Sequence, residues 1–192
     1  HTLNKPEVPL HYIGPLSRFQ QNAADGSGEH LLVLLSGPEP QRTLLEERLL
    51  EDLSEYTQPV TLVRGLPGET TPVAVAENIT VYNHLPAAEL EQQIRKAAMV
   101  ISRCGYSTVM DLAAMQKRSI LIPTPGQTEQ EYLAKHLMQK NLAFCVEQAK
   151  FRLKNVLELA GQFPYQPFKT TNDGALQQTV TRFVSSLKTA NT

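Results

Sequence analysis

Along this 192-residue chain, short unbroken apolar runs alternate with segments whose apolar residues recur every three or four positions. The first clear run, Leu31-Leu32-Val33-Leu34-Leu35, carries no polar interruption, which suits a strand buried on both faces, and it stops at Ser36-Gly37-Pro38. Leu44, Leu45, Leu49, Leu50 and Leu53 then recur at helical spacing. A strand over 60–63, a loop over 65–72 and a strand over 79–82 follow. From Pro86 to Ala97 a helix is expected, with Leu90, Ile94 and Ala97 on one side. Residues 99–101 read as a strand leading into Ser102-Arg103-Cys104-Gly105 and a helix over 106–115. Residues 119–122 read as another, leading into Pro123-Thr124-Pro125-Gly126 and a helix from Thr128 to about Lys140. A short strand at 143–146 and helices near 151–160 and 175–187 complete the pattern.

Strands alternating with helices predict an α/β fold, a Rossmann-like parallel sheet with helices on both faces and right-handed crossovers. Ligands of such sheets bind at the carboxyl ends of the strands. The loops beginning at Ser36, Arg64, Tyr82, Ser102 and Pro123 are therefore where chemistry is expected. Residues 1–28, with Pro6, Pro9, Pro15 and the small polar run from Asn22 to Gly28, read as an inter-domain linker and leading strand. Residues 29–192 form the main domain.

Composition narrows the function classes. The length fits one domain, which buries roughly 70% of its unfolded surface. A net charge of −1 argues against a general nucleic-acid or membrane-surface binder. Cys104 and Cys145 stand in apolar contexts and suggest a reducing compartment rather than a disulfide framework. No apolar run reaches transmembrane length, and no signal-peptide pattern opens the chain. Because the chain starts at His1 without Met, it is expected to be an excised fragment. There is no Asp-x-Asp and no clustered His/Cys ligand set, so no metal is expected. Gly26-Ser27-Gly28 precedes its strand, so no dinucleotide fingerprint exists and no cofactor is expected.

The segment Ser102-Arg103-Cys104-Gly105-Tyr106-Ser107-Thr108-Val109-Met110-Asp111-Leu112-Ala113 is the most informative. Its glycine leaves room for a ligand to approach the backbone, and the helix that follows aims free N–H groups at the same space. Ser107, Thr108 and Asp111 lie three or four residues apart and share one side of that helix. Asp111, expected half-exposed, could accept bonds from two sugar hydroxyls. The pattern fits equally an ordinary strand–helix turn, with Ser107 as N-cap and Asp111 solvated.

These residues resemble the Ser-Arg-x-Gly-Ala-x-Thr-x-x-Glu-Ile-Ala segment of GT-B glycosyltransferases related to the peptidoglycan N-acetylglucosaminyltransferase. The similarity continues through Ile122-Pro123 to Gln130-Glu131-Tyr132, and more weakly back to Gly14-Pro15-Leu16-Ser17-Arg18. It implies the nucleotide-sugar donor domain, the C-terminal half of a GT-B fold. Asp111 takes the place of an acidic residue that holds the ribose of a uridine diphosphate sugar, one methylene shorter than the family's Glu. The family's sugar-facing Gln-Gln pair falls on Gln130-Glu131, so the resemblance carries that role to Gln130, while Gln127 would project beside it from the helix start; an amide both donates and accepts. Thr128 and Glu131 form a capping-box pattern, so Glu131 is expected to cap its helix. Leu85, after His84, falls at the turn whose backbone meets the base, and Arg18 at an arginine that reaches the diphosphate.

The resemblance thus implies donor-binding roles for Arg18, Leu85, Arg103, Gly105, Ser107, Thr108, Asp111, Gln127 and Gln130. It implies no catalytic residue in this chain. The loop Ser36-Gly37-Pro38-Glu39-Pro40-Gln41 departs from the glycine-rich phosphate turn of relatives, because two prolines remove donors and Glu39 repels an anion. It reads instead as a rigid lead into the helix. The implied activity is transfer of N-acetylglucosamine from a uridine diphosphate sugar, in the cytoplasm or at the inner face of the membrane. Peripheral membrane association and the acceptor site would belong to an N-terminal acceptor domain absent from this chain. A nucleotide-sugar hydrolase or epimerase, and a non-catalytic donor-binding subunit, are the alternative readings.

Overall fold

The computed structural model describes Leu10 and residues 16–19, 28–168 and 175–189. Most of the leading linker, including the extended piece expected near residues 5–15 and the polar loop from Asn22, lies outside the described residues. The chain divides into two units. Ser17–Phe168 is the larger; His1–Leu16 with Lys169–Thr192 is the smaller.

The larger unit is built on a parallel sheet. Its strands are β1 (His30–Leu34), β2 (Val60–Val63), β3 (Ile79–Tyr82), β4 (Ala97–Arg103), β5 (Ser119–Ile122) and β6 (Phe144–Cys145). Their spatial order is β3-β2-β1-β4-β5-β6, every described pairing is parallel, and Leu34 stands level with Val63 and Ser102. The loops after Ser36, Arg64, Tyr82, Arg103 and Pro123 therefore open on one edge. Chain direction across the sheet reverses between β1 and β4, which places the crevice for a ligand beside the loops that follow those two strands.

The helices are α1 (Gln41–Leu53), α2 (Ala87–Lys96), α3 (Tyr106–Ala114), α4 (Thr128–Gln139) and α5 (Leu153–Gln162), with a 3-10 turn at Gln148–Lys150. Alternate residues of β1 face opposite layers. Leu31, Val33 and Leu35 pack with Leu45, Leu49 and Leu53 of α1 and Val156 of α5. Leu32 packs with Ile94 of α2, Leu112 of α3 and Leu137 of α4. Because both faces are covered, all four residues of β2 and of β5 are buried, which is why neither alternates between apolar and charged positions. Each fully buried Leu contributes about 1.5–3 kcal/mol of transfer free energy.

Boundaries differ from the sequence reading at both ends of the central strand β4. Ala97, expected to end α2, begins β4, and Ser102 and Arg103 belong to that strand rather than to the loop. Lys117 accounts for the early start: its ammonium donates to the carbonyls of Arg95 and Ala97, anchoring the α2–β4 junction. Gly65 is needed where it stands. Its φ is +70°, and a Cβ there would lie 2.3 Å from the Leu35 carbonyl oxygen. Cys104 and Cys145 are free thiols, and burial pushes both up to about 12. In the smaller unit, α6 (Ala175–Thr189) exposes Leu176, Val180 and Phe183 at helical spacing.

Candidate functional site

At the carboxyl edge, helix starts differ in what occupies them. The N–H groups of a first turn lack helical partners and attract anions. At α1 a carboxylate of the chain already fills that role: Glu39 accepts the Thr43 N–H at 3.1 Å and Arg42 Nε at 2.6 Å. The hydrogen bond from Arg42 is the main reason its carboxyl lies below the usual range. The loop after β1 is thus a closed lead into α1.

Behind Glu39 an ion network runs across the β1–β3 side. Arg42 Nη1 donates to Glu46 at 2.9 Å, Arg64 pairs with the same carboxylate, and Arg64 Nη1 donates to Asn83 at 2.9 Å. Burial opposes the charge on Glu46, but hydrogen bonds from Arg64 and Arg42 outweigh it and hold its carboxyl below the ordinary value. The sequence reading missed this cluster. Its signal was Arg42 and Glu46, four residues apart on the same stripe as Leu45, Leu49 and Leu53.

The α4 start is tied internally as well. Gln130 Oε1 accepts the Thr124 N–H at 3.0 Å, and its amide nitrogen donates to Gln127, so the two expected sugar-facing amides are held against each other. The capping box expected from Thr128 and Glu131 does not form. Gln127 occupies the N-cap position, and Glu131 instead accepts the Gly126 N–H at 3.1 Å, bracing the turn before the helix. Glu131 therefore braces the preceding turn and does not cap the helix as expected. Beside this turn a cavity of about 550 Å³, lined by Pro123, Pro125, Ala134, Met138, Cys145 and Gln148, falls within the size range of small-ligand pockets.

The α3 start is different. Gly105 is its N-cap and, as at α2 and α4, no side chain caps it, but unlike theirs its first turn carries no acidic residue. Ser107 is therefore a first-turn residue and not the N-cap; it is exposed, and Thr108 is half-buried. The Gly105 backbone is ordinary (φ −77°), and a Cβ built there meets nothing within 4 Å. Neither backbone strain nor packing requires a glycine; the space in front of it is open.

Directly beneath, Arg103 ends β4 with 2% of its surface exposed. Nη2 donates to the Gln41 carbonyl at 2.6 Å, whereas Nε and Nη1 have no partner. Burial lowers its pKa to about 10, which leaves it charged at neutral pH. Gln148 Nε2 reaches the Gln41 side chain at 3.0 Å, and Thr124 Oγ1 is likewise buried without a partner. Segments that follow β1 and β6 are therefore tied together at the end of β4. Gln41, Thr124 and Gln148 were not expected in this group, because only the strand order brings them together.

Leu85 has its side chain in the core, which leaves its backbone, the part expected to meet a ligand, at the turn. One expected residue sits otherwise than the sequence suggested. Asp111 is not half-exposed: 5% of its surface is accessible, and its carboxylate is engaged by Ser17 and Arg18.

The comparisons with known proteins agree with this architecture. The sequence model of the Glycosyltransferase family 28 C-terminal domain matches residues 42–184. The UDP-N-acetylglucosamine--N-acetylmuramyl-(pentapeptide) pyrophosphoryl-undecaprenol N-acetylglucosamine transferase of Rhodopseudomonas palustris (strain HaA2) is 26% identical over 179 residues, covering 92% of this chain and 47% of that protein. The chain thus spans about half the length of that relative. Among solved structures, Acinetobacter baumannii MurG superimposes with a TM-score of 0.52 at 17% identity, over 76% of this chain and 46% of that one. Glycosyltransferase VinC in complex with DTDP does so with 0.53 at 14% identity, over 91% and 44%. The fold is that of the C-terminal domain of a GT-B glycosyltransferase. By the family match, the chain belongs to glycosyltransferase family 28.

Among the described residues no group of three or more His, Cys, Asp or Glu could hold a metal ion, and no helix is long and apolar enough to cross a membrane.

Proposed function

We propose that this chain is the donor-binding half of a glycosyltransferase and takes a uridine diphosphate sugar, with N-acetylglucosamine as the sugar, at the carboxyl edge of its sheet. The observation that carries this reading is the uncapped start of α3 at the strand-order reversal, facing open space at Gly105. The diphosphate would lie against the N–H groups of the α3 first turn, where the helix dipole favours negative charge. Arg103 adds a buried positive charge beneath it, Arg18 a second from the leading segment, and Ser107 and Thr108 offer hydroxyls. These groups are in place before reaction and would stabilise the departing diphosphate as bond cleavage loads it with charge.

The base would meet backbone groups near Leu85, and the sugar would lie toward Gln127, Gln130 and the cavity beside them. The relative's printed name supports this donor, since it is a UDP-N-acetylglucosamine transferase. VinC, which shares this fold, is in complex with DTDP, and a nucleoside diphosphate ligand for this chain is in keeping with that. The acceptor site, the catalytic base and any peripheral membrane contact are assigned to a preceding domain, in the cytoplasm.

Calorimetric titration of the chain with uridine diphosphate, uridine diphosphate N-acetylglucosamine and N-acetylglucosamine 1-phosphate tests the reading. Both uridine nucleotides should bind, the sugar phosphate much more weakly, and Mg²⁺ should change affinity little. Failure of either nucleotide to bind, or a strict requirement for Mg²⁺, would overturn it.

A further inference from the structure

Asp111 holds a segment of the chain that lies 94 positions earlier. Its Oδ1 accepts the Ser17 hydroxyl at 2.8 Å and the Arg18 N–H at 3.3 Å, and its Oδ2 accepts Arg18 Nε at 2.9 Å. The Ser17 hydroxyl oxygen in turn accepts the Phe19 N–H at 3.0 Å, which folds the three residues into a tight turn. Phe19 is buried in the layer formed by α2, α3 and α4, and the Arg18 guanidinium lies over its ring at 4.8 Å. The turn is therefore held at two points, one ionic and one apolar.

A carboxylate offers about four lone-pair sites, and three of these are in use. The carboxylate is 7% exposed, whereas Arg18 keeps 56% of its side chain in solvent. A ribose diol reaching for both oxygens would have to expel Ser17 and Arg18 first. A second consequence follows from which nitrogen is bonded. With Nε tied to the carboxylate, the terminal Nη1 and Nη2 have no hydrogen-bond partner among the described residues, and 56% of the side chain is in solvent, so a planar pair remains for two phosphate oxygens.

We infer that Asp111 is a positioning residue, which clasps Ser17–Arg18–Phe19 onto α3 and aims Arg18 at the donor diphosphate, and does not itself hold the ribose. The clasp stands on geometry alone; its purpose rests on the donor site proposed above. The shorter side chain fits this task, because Asp keeps the turn close against the helix.

Two measurements on the whole chain separate the two parts. The first needs no nucleotide. Trypsin cuts after arginine only in a locally opened chain, so the rate of cleavage between Arg18 and Phe19 reports the clasp. Asp111→Ala should raise that rate about tenfold with other cleavage sites unchanged, and Ser17→Ala should raise it less. Unchanged cleavage in both variants would overturn the clasp. Should Asp111→Ala not fold, Asp111→Asn keeps the shape with one good acceptor and should show an intermediate rate.

The second measurement is nucleotide affinity. Asp111→Ala should weaken uridine diphosphate and its 2′-deoxy analogue equally, by about tenfold, while leaving uridine nearly unaffected. In an Arg18→Ala background, the same change should add less than about twofold, the non-additivity of a shared contact. A loss confined to the ribose nucleotide, or one that persists without Arg18, would return Asp111 to the ribose and overturn the positioning role. If no nucleotide binds the wild type, the donor reading fails while the cleavage result still decides the clasp.

Discussion

Two glycines show what a single residue can and cannot reveal. Gly65 and Gly105 each follow a strand end, yet their environments are opposite. Gly65→Ala forces a Cβ to 2.3 Å from the Leu35 carbonyl in a left-handed backbone, so it should lower the thermal midpoint clearly. Gly105→Ala has an ordinary backbone and open space ahead, so it should leave the midpoint unchanged and instead weaken uridine diphosphate in calorimetry. A destabilised Gly105→Ala that still binds would remove the ligand from that space. Arg103→Met makes a complementary case. It removes a buried cation with two unpartnered nitrogens, and each such group costs about 1–3 kcal/mol. The Gln41 carbonyl loses a donor but lies in the first turn of α1, where the helix supplies another. Thermal unfolding should therefore show equal or greater stability, with affinity reduced about tenfold or more. Lower stability with intact affinity would make Arg103 a strut. Gly105 and Arg103 could be grouped from the sequence because their motif is local. The exposure of Asp111 was misjudged because the groups that bury it arrive from Ser17 and Arg18, a contact with no local signature.

At the scale of elements, strands and helices were legible because their periodicities differ and both sheet faces are covered. Their termini were less so, since Ala97 and Ser102 are decided by neighbours across the sheet rather than by their own sequence. Helix α1 carries the polar feature that periodicity hides, a carboxylate inside its apolar stripe. Glu46 has a folded-state pKa below its unfolded one, so its stabilisation is present above the unfolded value, about 4.3, and fades as pH falls through the lower folded value. Urea unfolding of wild type and Glu46→Gln should differ by about 3–5 kcal/mol at pH 7, because Arg42 and Arg64 lose their shared partner. The gap should narrow progressively below pH 4. A gap independent of pH would mean that shape, rather than charge, holds α1 to β2.

For the molecule as a whole, the parallel sheet and the shared edge of its strand ends followed from the alternation of elements, whereas the acceptor side is proposed to lie in the part of the relative that this chain does not span. The chain should bind uridine diphosphate N-acetylglucosamine yet transfer no sugar to any acceptor, as product chromatography would show; robust transfer by this chain alone would place a base within it. The two halves of the edge also differ in how they can change over evolutionary time. From β1 to β3, Glu39, Arg42, Glu46, Arg64 and Asn83 interlock, so altering any one exposes the others and most single substitutions there would be lost to misfolding. Beside β4 and β5, Tyr106, Ser107 and Gly126 meet solvent and depend on few neighbours. New preferences for the donor's sugar would arise, and could be engineered, on that second half. The locked half supplies the stability reserve against which such changes are tolerated.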